Sequence, residues 1–288
     1  AQQHTEILQE TVFSISEAAH NTNSLTGLYA HIHQEIEKVM YAKNFFIALY
    51  SEEAHKLHFV YFIDEMDEWT TEPFDPSNGL TGYVLRTGKS LLCDEKKDAE
   101  LIASGDYQPV GAPSKIWMGV PLITQNQTIG VMAVQHYTDK QAYTERELRM
   151  MEFVSAQVAT AITRKRAEDQ IYKSEKLNSA LIANAPDGIV IMDTDGAFTF
   201  GSPSTSRIFG YTTEDALGKT AIEWVHPDDQ ILIRGKFLEL VKDPSKVFTA
   251  EYRFLHKNGT YRWLEGTFSN LETETGMKLI VCNFSDIT

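Results

Sequence analysis

Residues 161–176 read AITRKRAEDQIYKSEK, and this stretch decides how the two halves of the 288-residue chain are connected. Half of its side chains are charged, and no Gly or Pro occurs anywhere between Val131 and Ala185. Gly and Pro are the residues that most often interrupt a helix. The stretch therefore predicts a stiff, polar helix at a place where a flexible linker would be the usual solution.

The predicted helix has a distinct start. Thr144 is followed three residues later by Glu147, which is the spacing of a capping box. A helix from Glu145 to about Asn184 would be about 60 Å long, at about 1.5 Å of rise per residue. A small domain cannot cover that length, so part of the helix is expected to connect domains or to contact a second chain.

The patterns on either side of this helix differ. Before it, residues 4–20 and 24–40 carry apolar residues at helical spacing, and residues 44–64 and 115–137 each read as two strands around a polar turn. After it, from residue 188 onward, strands dominate. The sequence thus predicts an α+β protein of two domains, each a central antiparallel sheet with flanking helices, joined by a long continuous helix.

One hairpin in the second half is predicted in detail. Asn258 and Gly259 form the dipeptide most typical of a two-residue type I′ turn. Such a turn would place Phe254 opposite Trp263 on the neighbouring strand.

Composition excludes several classes of function. Hydrophobic residues make up 42% of the chain, charged residues 23%, and the formal net charge is −14. An acidic surface argues against nucleic acid and anionic membranes as partners. No apolar run approaches the roughly 20 residues that cross a bilayer, so no membrane insertion is expected. Cys93 and Cys282 lie far apart and form no motif, which is typical of reduced thiols in a cytoplasmic protein. Since the chain starts without Met, we expect it to be a segment of a longer protein.

Several quoted segments carry a resemblance to known families. Residues 1–160 contain GLTGYVLRTGKSLL (79–92), SKIWMGVPL (114–122) and TIGVMAVQ (128–135), and this half resembles a GAF domain. Residues 174–288 resemble a PAS domain with its C-terminal motif, and the matching segments are APDGIVIMDTDGAFTF (185–200), RIFGYTTEDALGK (207–219) and YRFLHKNGTYRWLEG (252–266). The helix over 145–184 is shared between them as a connector.

The resemblance implies a signal-sensing region with no catalytic residues of its own. In these families, GAF and PAS domains in series commonly precede a histidine kinase, so the expected function is the sensory part of a phosphorelay protein. Two alternatives remain open at this point. One is the sensory region of a diguanylate cyclase, and the other is a dimerisation scaffold that binds no ligand.

The cofactors known from these families do not fit the residues. Cys93 is not in the context of a bilin attachment site, no cyclic-nucleotide signature is found, and residues 202–210 lack the Cys of a flavin photoreceptor. His226 precedes the long helix of the PAS-like half rather than lying inside it, so haem is not expected either. His31 and His33 are two residues apart on a helix and point in different directions, which argues against a shared metal ion.

Apolar and aromatic residues could instead surround a small molecule. The candidates for ligand pockets are Tyr61, Trp117 and Val120 in the first half, and Ile191, Trp224, Phe237, Phe254 and Trp263 in the second. An unknown small ligand is therefore a possible partner. The competing interpretation is that these side chains simply fill two hydrophobic cores.

The first part of the connecting helix carries apolar residues at steps of three and four, and this stripe fades through residues 163–169 and resumes at Ile171. Its members are Met151, Val154, Val158, Ile162, Ile171, Leu177 and Leu181. This stripe predicts packing against the same helix of a second chain, as in a parallel coiled coil, and hence a parallel homodimer. In the charged middle, Lys165 is expected to pair with Asp169, and Asp169 with Lys173.

Overall fold

The computed structural model describes residues 2–22, 24–68, 70 and 72–288. The chain forms two compact units, Ala1–Ile171 and Tyr172–Thr288. One helix, Glu145–Asn184, runs across this boundary without a break over 40 residues. The predicted α+β architecture, with two antiparallel sheets and a long helix between them, is confirmed.

The first unit is built around a five-stranded antiparallel sheet in the order β2-β1-β5-β4-β3. Its strands are β1 (Phe45–Ser51), β2 (Lys56–Ile63), β3 (Leu91–Asp94), β4 (Ile116–Thr124) and β5 (Gln127–His136). Its helices are α1 (Gln2–Asn21), α2 (Leu25–Glu37), α3 (Gly79–Thr87), α4 (Glu95–Ala103) and the first part of α5 (Glu145–Asn184).

Each face of this sheet has its own core, because side chains alternate along a strand. Phe45 and Ile47 of β1 point into a core that also contains residues of α1, α2 and α5. Phe46, between them, belongs to a second core with residues of α3, α4 and β3. Both faces of the sheet are therefore covered.

Helix α5 begins with the predicted capping box. The backbone N–H of Thr144 donates to the Glu147 carboxylate over 2.9 Å, and the N–H of Arg146 donates to the Thr144 hydroxyl over 3.2 Å. The N–H groups at the start of a helix lack partners within the helix, so these contacts fix where α5 starts.

The second unit contains a five-stranded antiparallel sheet in the order β7-β6-β10-β9-β8. Its strands are β6 (Gly188–Met192), β7 (Phe198–Gly201), β8 (Val247–Leu255), β9 (Tyr261–Glu272) and β10 (Lys278–Asp286). Its helices after α5 are α6 (Pro203–Phe209), α7 (Thr213–Ala216), a 3₁₀ helix (Ala221–Trp224) and α8 (Pro227–Lys242). Strand and helix residues share one core, which contains Val190, Phe209, Ile233 and Phe254.

The hairpin between β8 and β9 differs from the prediction by one residue. Phe254 pairs with Arg262 instead of Trp263, and Leu255 pairs with Tyr261. Gly259 has φ = +87° and is the only residue of the loop with a positive φ, whereas a type I′ turn needs two. The loop is therefore a longer turn ending in one left-handed glycine, and the shift moves Trp263 to the sheet face opposite Phe254.

Helix α8 is fastened to β8 by an ion pair. Asp229 accepts hydrogen bonds from the backbone N–H and the Nε of Arg253, both over 2.9 Å, and from its Nη2 over 2.8 Å. The side chains of Asp229 and Arg253 are 17% and 26% exposed. The hydrogen bonds from the Arg253 side chain lower the pKa of Asp229, against the opposing effect of burial.

This pair predicts a pH-dependent stability. Replacing Asp229 with Asn should lower the free energy of unfolding of the second unit by about 2 kcal/mol at pH 7, because charge-assisted hydrogen bonds are lost. The native pKa lies below the unfolded value of about 3.9, so the stabilisation exists above that pH and disappears as pH falls further. Chemical denaturation at pH 7 and pH 3 measures this, with Glu274→Gln in an exposed turn as the matched control. An equal loss at both pH values would contradict the role of the charge.

Candidate ligand cavities

The second unit encloses a cavity of about 330 Å³ between its sheet and α8. Val190, Met192 and Phe254 line it from the strands, and Ile233 and Phe237 line it from the helix. Its lining also includes exposed residues of α8 and of the turn after β6. A space of this size and character suits a small apolar molecule.

Two polar side chains of this wall stay uncharged. Burial raises the pKa of the Cys282 thiol to about 12 and that of Tyr252 well above 10. The Tyr252 hydroxyl and the Cys282 sulfur lie 4.0 Å apart, which leaves both groups weakly bonded. A buried neutral thiol is a poor nucleophile, so Cys282 is a packing residue of this wall rather than a reactive one.

The residues predicted for this pocket fall in different places. Phe237 and Phe254 line the cavity. Trp224 stacks on Tyr211, with ring centroids 4.4 Å apart, and lines a small void of about 20 Å³. Ile191 lies outside the cavity because its neighbours Val190 and Met192 point inward and side chains alternate along β6.

Trp263 is also outside the cavity. It is 43% exposed and lies against the guanidinium of Arg253, with Cζ 5.3 Å from the ring centroid. The one-residue shift of the β8–β9 hairpin explains this position. Its predicted place in the pocket is therefore corrected.

The first unit holds a larger cavity, of about 550 Å³, on the sheet face that carries α3 and α4. Its wall is rich in aromatic side chains, namely Phe46, Phe59, Phe62, Phe74, Tyr107 and Trp117. Phe59 contacts both Phe46 and Phe62, with ring centroids 5.2 and 4.9 Å apart. Trp117, predicted as a pocket residue, is part of this wall.

The other two predicted residues of this half lie on the opposite face. Tyr61 packs beside Phe45 and hydrogen-bonds His33 over 3.0 Å, and Val120 is fully buried in the same helix-covered core. A bulge in β2 is the reason for the position of Tyr61. Ile47 pairs with Tyr61 but Ala48 pairs with Phe59, so Val60 is an extra residue and the alternation is interrupted.

Sequence patterns alone missed most of the residues that line the cavity of the first unit. Phe59 and Phe62 share a face because of the bulge, which strict alternation does not predict. Thr81 and Asp98 come from α3 and α4, whose packing on the sheet has no short sequence signature. Strand alternation could have separated Val120 from Trp117, because they are three positions apart on β4 and an odd separation places two side chains on opposite faces.

The connector helix has an inner and an outer face. Met151, Val154, Val158 and Ile162 are fully buried in the first unit's own core, so the predicted dimer contacts at these positions are replaced by contacts within the chain. Farther along, Ile171 is 59% exposed, Leu177 60% and Leu181 62%. The stripe from Met151 to Ile162 is buried because the sheet of the first unit needs a helix to cover its apolar face.

A second stripe lies on the outer face of α5, and we call it the outer seam. Its members follow the alternating three- and four-residue steps of a coiled coil, all are exposed, and none carries a charge. They are Phe153, Ala156, Thr160, Thr163, Ala167, Gln170, Ser174, Leu177, Leu181 and Asn184.

The charged side chains of α5 pair differently from the prediction. The Glu168 carboxylate forms ion pairs with the Arg164 Nε over 2.9 Å and with the Lys165 Nζ over 3.8 Å. These pairs replace the predicted ones through Asp169. Lys165 is 8% exposed, so its stem packs on the first unit while its amine reaches Glu168. These pairs lie beside the outer seam.

No group of three or more His, Cys, Asp or Glu side chains with the arrangement of a metal site occurs among the described residues. His31 lies 2.9 Å from the Ser14 hydroxyl, and His33 contacts the Tyr61 hydroxyl and the Ala42 carbonyl. Within the same part of the chain, no helix combines the length and apolar character needed to cross a membrane.

Comparison with protein families agrees with the two units. The model of the GAF domain matches residues 22–163, and the model of the PAS fold matches residues 198–282. Together these matches lie on either side of the exposed part of α5.

Individual relatives match parts of the chain. The aryl hydrocarbon receptor nuclear translocator homolog of Drosophila melanogaster is 35% identical over 94 residues, which are 32% of this chain and 14% of that protein. The GAF domain of Acinetobacter phosphoenolpyruvate-protein phosphotransferase superposes with a TM-score of 0.46 at 19% identity, over 55% of this chain and 94% of that one. The PAS domain of an HTR-like protein from Haloarcula marismortui superposes with a TM-score of 0.38 at 20% identity, over 43% of this chain and 99% of that one.

Proposed function

The chain contains a GAF domain followed by a PAS domain, and on this basis we propose that it is the cytoplasmic sensory region of a dimeric signalling protein. In this proposal each domain receives a small ligand or a partner, and α5 carries the resulting change to an output domain. GAF and PAS domains are sensory modules, so catalysis belongs to the output. We propose domain limits of 1–160 and 174–288, with the helix over 145–184 shared.

The observation that carries the proposal is the outer seam of α5. An isolated helix gains little from exposing Phe153, Leu177 and Leu181, which are 54%, 60% and 62% exposed. The same heptad steps in a second copy would bury these side chains against their counterparts. Thr, Ala and Ser in the middle of the seam allow two helices to approach without charge repulsion.

A parallel arrangement fits this seam best. Its bulkiest members stand at the two ends, with Phe153 at the start and Leu177 and Leu181 near the end. In parallel register each bulky residue meets its own counterpart, whereas an antiparallel pair would set Phe153 against the leucine end. A stiff helix pair can transmit a rotation or a change of register, which a flexible linker cannot.

We propose a histidine kinase as the output, since GAF and PAS domains in series commonly precede one. A diguanylate cyclase is the alternative, and the same helix would serve it. The two are separated by the activity that the full-length protein shows with ATP or with GTP.

The dimer is tested by charging the seam. Replacing both Leu177 and Leu181 with Lys should raise the dimer dissociation constant at least about tenfold, because four like charges would meet at the interface. Sedimentation velocity over a concentration series measures the constant. The matched control replaces Ile231 and Leu232 with Lys, since both are exposed on α8, outside the seam. A monomeric unmodified chain, or equal effects of the two variants, would contradict the proposal.

A further inference from the structure

The GAF-domain cavity has an unusual combination of wall residues. Its aromatic cluster is formed by side chains of several strands and loops, and Trp117 and Phe46 in it are each only 4% exposed. Aromatic rings present a negative face to their surroundings. A cation above such a face is attracted, most strongly where water is excluded.

Three carboxylates lie in the same wall, those of Asp67, Glu68 and Asp98. Asp67 accepts the backbone N–H of Ala112 over 3.0 and 3.1 Å, and Asp98 accepts the Tyr107 hydroxyl. A carboxylate has about four acceptor positions, so both retain capacity for a further donor. Glu68 is exposed and forms no ion pair with the residues that the structure describes.

The described part of the wall contains no positive charge to balance these carboxylates. None of the described residues that line this cavity is a lysine, an arginine or a histidine. Burial, reinforced by Asp98, raises the pKa of the Cys93 thiol to about 12 and that of Tyr107 well above its usual value. The cavity therefore disfavours additional negative charge within it.

A further polar group in the wall lacks a partner. Thr81 is only 7% exposed and lines the cavity, and its hydroxyl has no hydrogen-bond partner among the residues that the structure describes. No buried side-chain oxygen or nitrogen lacks a partner among the described residues, so this hydroxyl is accessible to an occupant and free to form a hydrogen bond with it. This observation is independent of the acidic side chains.

We propose that the GAF-domain cavity binds a primary organic ammonium ion with an aromatic or other apolar body. The apolar body would lie among the phenylalanine rings and Trp117. The ammonium group would donate to the carboxylates and to the Thr81 hydroxyl. The volume of about 550 Å³ falls within the range of small-ligand sites. The inference rests on the proposed sensing function, because it names the ligand class of one of its receiving sites.

Charge complementarity excludes the opposite ligand class. A carboxylate or phosphate ligand would meet three acidic side chains and, among the described lining residues, no basic one. A neutral aromatic ligand would gain the ring contacts but would leave the negative charge of the carboxylates unbalanced. A cationic aromatic ligand therefore forms favourable contacts with both the rings and the carboxylates, which neither an anionic nor a neutral ligand does.

The test compares three probes of nearly equal size by isothermal titration calorimetry at pH 7. They are 2-phenylethylamine, which is protonated at this pH, 2-phenylethanol and phenylacetate. We expect saturable binding of the amine and at least about tenfold weaker binding of the alcohol and the acid. Equal binding of all three, preference for the acid, or no binding of the amine would overturn the inference.

Variants locate the site. Thr81→Val keeps the side-chain shape and Glu68→Gln keeps its size, and each should weaken amine binding several-fold. Glu53→Gln is the matched control, because Glu53 is exposed in the turn after β1 and lies outside the cavity. If Thr81→Val and Glu68→Gln both bound the amine as tightly as the Glu53→Gln control, the site would be elsewhere and the inference would fail. A failure of this inference would not contradict the proposed signalling role of α5, because the dissociation constant of the dimer tests that role separately.

Discussion

From the proposed signalling function, we expect an insertion of one, two or three residues after Arg166 to uncouple the proposed output domain from the sensory domains, while an insertion of seven residues preserves control. Each added residue turns the following part of an α-helix by about 100°, so short insertions point the two ends of the outer seam in different directions. Seven residues return the seam to within about 20° of its original phase. The change in output should therefore follow the helical period.

The measurement uses the full-length protein and its output activity, which is autophosphorylation if the output is a histidine kinase. Residue 166 lies in the exposed part of α5, so both domains should remain folded in every variant. Hydrogen exchange of strands β1 and β9 supplies that control. If insertions of two and seven residues had the same effect on activity, rigid transmission through α5 would be wrong.

Replacing Ile162 with Asp should unfold the GAF domain, whereas replacing Ile171 with Asp should leave it intact. Both are isoleucines of α5, but Ile162 is 0% exposed and Ile171 is 59% exposed. An aspartate at the first position would bury an unpaired carboxylate against the sheet, at a cost above about 4 kcal/mol. At the second position the carboxylate remains in water, and we expect a change within about 0.5 kcal/mol.

Differential scanning calorimetry can follow both domains in one experiment. We expect the Ile162→Asp protein to lose the transition of the GAF domain and to keep that of the PAS domain, because the two units have separate cores. The Ile171→Asp protein should keep both transitions. Similar unfolding of the two variants would mean that the inner stripe of α5 is not part of the GAF core.

Local patterns in the sequence predicted the elements correctly where nearest neighbours decide the structure. The absence of Gly and Pro, together with the Thr144–Glu147 spacing, predicted α5 with its observed ends at Glu145 and Asn184. Alternating apolar runs predicted two antiparallel sheets. These features depend on backbone propensity and on residues a few positions apart, so a linear pattern is sufficient to find them.

The residues that line the cavities were predicted less well, because a one-residue shift in strand pairing moves a side chain to the other face of the sheet. The bulge at Val60 separates Tyr61 from Phe59, and the longer turn before Tyr261 separates Trp263 from Phe254. Both depend on how one strand aligns with another, which no pattern within a single strand specifies.

The sequence by itself determined that two sheet-containing domains are joined by an unbroken charged helix, because helix formation and strand alternation are local. The tertiary structure alone decided which face of that helix is free. The apolar stripe at Met151 and Val158 is the more conspicuous one in the sequence, yet the sheet of the GAF domain covers it. A stripe of apolar residues fixes only that a face must be buried, and whether the chain's own sheet or a second chain buries it depends on contacts between distant residues.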